Sequence, residues 1–283
     1  MSHENRLKAA VYVDSENLKF NGGFGMRYEK LRAFGCRGGA EPIRLNSYLA
    51  YDERRAEKDG NYRNGQERLH AQLRDFGFKV ITKQVKWYKD ETGAQVSKAK
   101  VDLDLAVDAI TQSEKLDRII LATGDGDFVQ VVRALQNRGC RVEVIAFDNV
   151  SADLRKEADL YMSGYLIPGL LPFQAKEKRP NGNSHDWGEI GSYVRGVCYH
   201  FDDVKGYGFV RYIKDANSDL WRSDYRDERS AYGTAFIHQS DLPDSVSATE
   251  LPTRNLVFEF KLAEGQEEGK PKAEFVTTFQ ART

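Results

Sequence analysis

The chain has 283 residues, 40% hydrophobic and 30% charged, with 42 lysines and arginines against 43 aspartates and glutamates. That balance excludes a disordered or collagen-like chain and leaves room for one large domain or two smaller ones. Near-neutral charge names no partner, and Cys36, Cys140 and Cys198 share no ligand spacing with the histidines, so disulfides and structural zinc are not expected.

The first apolar run, "AAVYV", is too short for a signal segment or a membrane span, which predicts a cytoplasmic protein without membrane contact. It reads as a strand and is followed by a Gly-rich insertion up to Glu41. Next come strand "IRLNSYLAY", a helix from Asn64 to Phe76, strand "FKVITKQV" and a hairpin-like "KDETG". A helix from Val101 to Gln112, strand "RIILAT", a helix from Phe128 to Asn137, strand "RVEVIAF" and a short helix around Leu154 to Ala158 complete the series. Continuous apolar strands alternating with amphipathic helices predict an α/β domain, a parallel sheet covered on both faces. Ligands of such sheets sit beyond the carboxyl ends of the strands, near the topological switch point.

A Pro- and Gly-containing stretch of mixed charge then reads as a linker, placed at 172–190 between a domain at 1–171 and a second at 191–283. Beyond it, "VRGVCYHFD", "GYGFVRYIKD", "TAFIHQSDL", "NLVFEFKLA" and "KAEFVTTFQ" read as five short strands. Short strands without helices favour a small all-β barrel or sandwich. The polar run "ANSDLWRSDYRDERSAYG" between two of them is a surface excursion.

Acids gather at predicted strand ends. Asp14 ends the first strand, and Asp125 and Asp127 follow a later one in "ATGDGDF", where Gly124 and Gly126 permit tight turns. Asp102, Asp104 and Asp108 lie on the helix "VDLDLAVDAI", whose Val101, Leu103, Leu105, Val107 and Ile110 predict at least half burial. Taken singly, Asp127 is equally a helix cap, and Asp104 or Asp108 a solvated or lysine-paired acid. Several carboxylates from three elements at one sheet edge would repel one another unless protonated or bound to a cation. Carboxylate-only sites select magnesium or manganese, which activate water against phosphate esters, so phosphodiester hydrolysis is expected.

The motifs "VDSENL", "KVDLDLAVDAI", "ATGDGDFVQVVRALQNRGCRVEVIAF" and "SADLRKEADLYMS" resemble, in order and spacing, the NYN family of the PIN-like ribonuclease superfamily, in its LabA-like branch. The resemblance implies a PIN-like fold and a magnesium- or manganese-dependent endoribonuclease centre. By motif position it implies Asp14, Asp102, Asp125 and Asp127 as catalytic and metal-binding acids, supported by Asn17, Thr123 and Asp108. Asp104 falls where the family varies. The order "KAKVD" departs from the Lys-Gly that precedes "VD" in many relatives.

In the second domain, "KGYGFV" puts Tyr207 and Phe209 on one strand face and "FIH" does the same for Phe236 and His238. Adjacent pairs of this kind would make a stacking surface for bases, while Gly208, Val210 and Ile237 supply the inner face. Residues from Arg195 to Phe279 resemble a cold-shock domain, a five-stranded OB-type barrel. The resemblance carries Lys205, Tyr207, Phe209, Phe236 and His238 over to nucleic-acid-facing positions, with His200 standing where most members have tryptophan.

The combined expectation is a metal-dependent endoribonuclease acting on single-stranded RNA, with single-stranded DNA as the other candidate substrate. The alternatives are a non-catalytic RNA-binding regulator and a phosphatase or nucleotide hydrolase. "VDSEN" lacks an Asp-x-Asp pair and the chain has no Walker loop, both of which weigh against the last. Oligomeric state stays open, a homodimer included.

Overall fold

The computed structural model describes residues 6–89, 95–98, 101–173, 186–216, 220–224, 226–253, 255–266 and 270–279. The predicted turn after Lys89, the middle of the predicted linker (174–185) and Tyr225 lie outside these residues. The chain divides into two compact units, one holding the residues up to Phe24 with Leu31–Met162, the other Gly25–Lys30 with the residues from Ser163 onward.

The N-terminal part of the chain runs β1 (Lys8–Asp14), α1 (Ser15–Leu18), α2 (Tyr28–Gly35), whose first turn falls in the second unit, β2 (Glu41–Tyr51), α3 (Glu53–Lys58), α4 (Gly60–Asp75) and β3 (Lys79–Gln84). The hairpin β4 (Lys86–Lys89) and β5 (Gln95–Lys98) follows, then α5 (Val101–Thr111), β6 (Arg118–Ala122), α6 (Val129–Asn137), β7 (Arg141–Ala146), α7 (Ala152–Glu157) and β8 (Leu160–Ser163). Six strands form one sheet in the order β3-β2-β1-β6-β7-β8, and β1 pairs in parallel with both β2 and β6. The chain leaves β1 toward β2 and β3, then returns to add β6 on the other side, so the switch point lies between β1 and β6.

Buried positions run without a break from Ala9 to Asp14, as a parallel strand covered on both faces requires. On one face Tyr12, Ile119, Leu121, Val142 and Val144 pack against Leu105 of α5, Val132 and Leu135 of α6 and Leu154 of α7. Each such side chain contributes about 1.5–3 kcal/mol by leaving water.

Four elements differ from the expected series, the short α1 after Asp14 among them. The insertion contains α2, which buries Leu31 and Phe34 despite its glycine-rich flanks. Helix α3 precedes α4, and α4 starts at Gly60 because Asp59 caps it, accepting from the Asn61 and Tyr62 N–H groups. The short strand β8 extends the sheet edge beside β7. Helix α5 buries Val101, Leu105 and Ala109, but Leu103 (62% exposed) and Val107 (50% exposed) face outward, against the expectation that they help bury the helix. Among the described residues, no helix is long and apolar enough to cross a membrane.

In the second unit β9 (Tyr193–Asp202), β10 (Tyr207–Ile213), β11 (Tyr232–His238), β12 (Phe258–Glu264) and β13 (Pro271–Thr278) close into a barrel in the order β10-β11-β13-β12-β9. These are the five expected strands. Val194, Cys198, Val210, Ala235, Ile237, Phe258, Phe260 and Leu262 fill its interior. Arg195 is fully buried at the barrel wall: Nε binds Glu259 Oε2 at 3.0 Å, and the guanidinium donates to the carbonyls of Leu171 and Pro172. The rings of Phe173 and Phe279 lie against its charge, so the described ends of the predicted linker are packed rather than free, with Phe173 also stacked on Trp187.

Candidate active site and nucleic-acid interface

The carboxyl ends of β1 and β6 meet at the switch point, and their side chains interlock there. Asp14 is the last residue of β1 and only 5% exposed. Its Oδ1 accepts the Asn17 N–H at 3.1 Å, an N-cap for α1, and its Oδ2 accepts the Thr123 hydroxyl at 3.1 Å. Asn17 reaches across in turn, its Oδ1 accepting the Gly124 N–H at 2.9 Å. The Thr123 oxygen accepts the Asp125 N–H at 3.2 Å. One network therefore ties the loops after β1 and β6.

Burial pushes the Asp14 carboxyl up to about 6; the Asn17 and Thr123 hydrogen bonds oppose the rise, and the charges of Asp102 and Asp125 add to it. Acids from two other elements thus act on Asp14 of β1: Asp102 from the first turn of α5 and Asp125 from the loop after β6.

Asp127 is placed differently from the other three. It is exposed, and its N–H is accepted by Asp125 Oδ1 at 3.0 Å, so Asp125 is the capping acid and Asp127 lies inside the capped turn. The reason is local packing. Gly126 sits so close to Ser151 that an added Cβ would come within 2.8 Å of its Oγ, which holds a tight turn ahead of α6.

Asp108 is committed elsewhere: its Oδ2 accepts the Tyr48 hydroxyl at 2.7 Å, beside Asn46. That is a structural role within the buried polar contacts under α5. Asp104 pairs with Lys83 at 2.6 Å.

Among the described residues, no three of His, Cys, Asp and Glu stand close enough to hold an ion as arranged. The donor chemistry nevertheless fits a hard divalent cation: oxygen-only groups, with the charges of Asp102 and Asp125 acting on the buried Asp14.

On the barrel, the outer faces of β9, β10 and β11 carry a continuous ring surface. Tyr207 stacks on Phe236 (5.8 Å between centroids), Phe236 meets Phe209 edge-on (6.0 Å), and Phe209 stacks on His200 (6.2 Å). These rings are half-buried or exposed, while Gly208, Val210 and Ile237 turn inward as expected. Gly208 is obligatory there, since a Cβ would lie 2.4 Å from the His200 carbonyl. His238 ends β11 and its Nδ1 accepts the Ser240 N–H, whereas Lys205 is exposed and sits 3.7 Å from Asp202.

Sequence reasoning missed Tyr199. The pairing of β9 with β10 slips between Phe209, opposite His200, and Val210, opposite Cys198. Tyr199 is the extra residue of this bulge, and its ring comes within 6.5 Å of Phe209.

The NYN domain family matches residues 8–166, more than half of the chain. The chain belongs to the NYN domain family. This NYN protein is 26% identical over 180 residues to the Low amplitude and bright protein LabA of Synechococcus elongatus, an alignment covering 61% of this chain and 90% of LabA. A solved Vibrio parahaemolyticus protein of unknown function matches 58% of the chain and 96% of its own length, at 25% identity and a TM-score of 0.47. The NYN match covers the interlocked acids.

Proposed function

We propose that the chain is a metal-dependent endoribonuclease that acts on single-stranded RNA held by its barrel. One observation carries the reading: Asp14, buried at the switch point, is pushed up to about 6 by burial and by the neighbouring charges of Asp102 and Asp125. Membership in the NYN family supports a nuclease-type, RNA-directed activity with divalent metal dependence.

Asp14, Asp102 and Asp125 would hold a magnesium or manganese ion, with Asp127 at the rim, and the ion would supply activated water and charge neutralisation at the phosphodiester. The chain's own contribution is positional. Asn17 and Thr123 fix both oxygens of Asp14, and Gly124 lets the two loops approach, its Cα facing the Val150 backbone at a separation that leaves a Cβ only 3.3 Å. Tyr207, Phe209, Phe236 and His200 would stack successive bases, a sequence-tolerant grip worth about 1–3 kcal/mol per base, with Lys205 and His238 at its edge. On this reading the nuclease part spans 1–171 and the RNA-holding part 191–283, in a cytoplasmic protein.

A specific observation favours a second reading, an RNA-binding regulator without catalysis: both Asp14 oxygens are already engaged, and no three described ligands are gathered. End-labelled single-stranded RNA incubated with magnesium, with manganese and with EDTA separates the two. Cleavage with either metal and none in EDTA supports the nuclease. RNA bound but intact in all three overturns it.

A further inference from the structure

Phe20 and Phe24 are 75% and 59% exposed, although each has a buried neighbour, Leu18 and Gly23 respectively. Phe20 lies on, and Phe24 directly follows, a wide turn, Lys19–Gly23, that continues α1 from the Asp14 end of β1. Asn21 anchors the turn twice. Its Nδ2 donates to the Asn17 carbonyl at 2.7 Å, and its own carbonyl accepts the Asp148 N–H at 2.8 Å from the loop after β7. A third bond runs from Asn149 Nδ2 to Asn21 Oδ1 at 2.9 Å. Gly22 takes φ 94°, and Gly23 lies against the Phe147 ring so closely that a Cβ would come within 2.6 Å.

The consequence is geometric. The loops after β1, β6 and β7 are joined through Asn17, Gly124, Asn21 and Asn149, and the turn bearing the two phenylalanines belongs to the same floor as Asp14. Phe20 is thus a solvent-exposed ring carried on the anchored turn that continues from Asp14 through α1, and Lys19 Nζ lies over it at 5.6 Å from its centroid. Three hydrogen bonds through Asn21 order the backbone from which Phe20 and Phe24 are held out into solvent. An aromatic face with an ammonium beside it matches one chemistry well: an unpaired base on the ring with its phosphate toward the cation.

We infer that Phe20, with Phe24 and Lys19 beside it, forms a base-stacking subsite that seats a nucleotide next to the bond facing Asp14. This rests on the proposed nuclease reading and adds to it a second grip, independent of the barrel. It makes Phe20 a positioning residue, setting which phosphodiester reaches the acids.

The test uses the full chain and labelled single-stranded RNA, intact or carrying one abasic ribose at successive positions around the cut. Phe20→Ala is expected to lower kcat/KM on intact RNA by about 5- to 150-fold, the worth of one stacked base, with Phe20→Trp close to wild type. A single abasic position should cost the wild type the same factor and cost Phe20→Ala nothing further. Phe20→Ala equal to wild type, or an abasic loss unchanged in the variant, overturns the subsite. If the wild type cuts nothing, the nuclease reading fails by itself. Fluorescence-anisotropy titration of the same RNAs then decides the subsite: weaker binding by Phe20→Ala to intact RNA alone supports it, and equal binding overturns it.

Discussion

Thr123 donates its hydroxyl to Asp14 Oδ2 at 3.1 Å and, with the same oxygen, accepts the Asp125 N–H at 3.2 Å. A single side chain at the end of β6 therefore orients the buried acid of one strand and the loop acid of the next. Its own exposure is nil, so water cannot replace it.

Thr123→Val keeps the shape but removes both bonds, leaving an Asp14 oxygen and the Asp125 N–H without this partner. The expected cost is about 1–3 kcal/mol of stability by urea unfolding, with Thr123→Ser recovering most of it. Equal stability of the valine variant and wild type would show that the hydroxyl holds nothing.

Asp14 gives a pH signature. Its folded-state pKa of about 6 lies above the ordinary aspartate value of 3.8, so between those pH values the folded chain keeps a proton that the unfolded chain has lost. Stability from this group is therefore greatest at low pH, falls through that window and is fully penalised above it, by roughly 3 kcal/mol. Asp14→Asn, measured in EDTA, should be more stable than wild type at pH 8, and the gain should shrink toward pH 4. A difference that does not vary with pH would contradict the assignment.

Glu143 has the opposite sign. It is 1% exposed on β7, where its Oε1 receives Arg37 at 2.7 Å and Arg141 at 3.0 Å, with Arg118 Nε at 3.6 Å. Burial alone would raise its pKa, but the Arg37 hydrogen bond and charge, helped by Arg141 and Arg118, outweigh this and hold it below the usual carboxylate range. Its contribution is present above the unfolded pKa and is lost as pH falls through the folded one. Glu143→Gln should cost about 3–5 kcal/mol at pH 7, because buried guanidiniums lose their counter-charge, and the cost should shrink as pH falls through the lowered folded-state pKa. Chemical denaturation across an acidic pH series checks it.

Phe209 is the ring that Tyr207, Phe236, His200 and Tyr199 all approach. Phe209→Ala should weaken binding of single-stranded RNA by about 1–3 kcal/mol in an anisotropy titration, while circular dichroism shows the strands intact. Unchanged affinity would remove the barrel face from the interface.

The acidic centre is legible in the sequence because its markers are local: an aspartate closes one apolar run and Gly-Asp-Gly-Asp closes another, and each marks a strand end. The barrel strands are legible through their alternation, Tyr207 and Phe209 outward against Gly208 and Val210 inward. Features set by packing between distant segments are not. Asp125 caps the turn for which Asp127 is the candidate by sequence, because Gly126 is pinned by Ser151. Tyr199 joins the ring surface only through a register slip, which alternation cannot announce. Leu103 and Val107 belong to the apolar set of α5, yet hydrophobicity says nothing about which face finds a neighbour. Glu143 does leave a signal, a lone acid inside "RVEVIAF", whose meaning depends on arginines far away in sequence.

The metal-dependent nuclease activity is tested by the rate of single-stranded RNA cleavage in magnesium or manganese by the wild type and by Asp14→Asn with Asp125→Asn, purified side by side. The wild type is expected to cleave with metal and not in EDTA, and the double variant to bind the RNA without cleaving it. Cleavage that survives EDTA, or that the double variant retains, would contradict the metal-dependent reading.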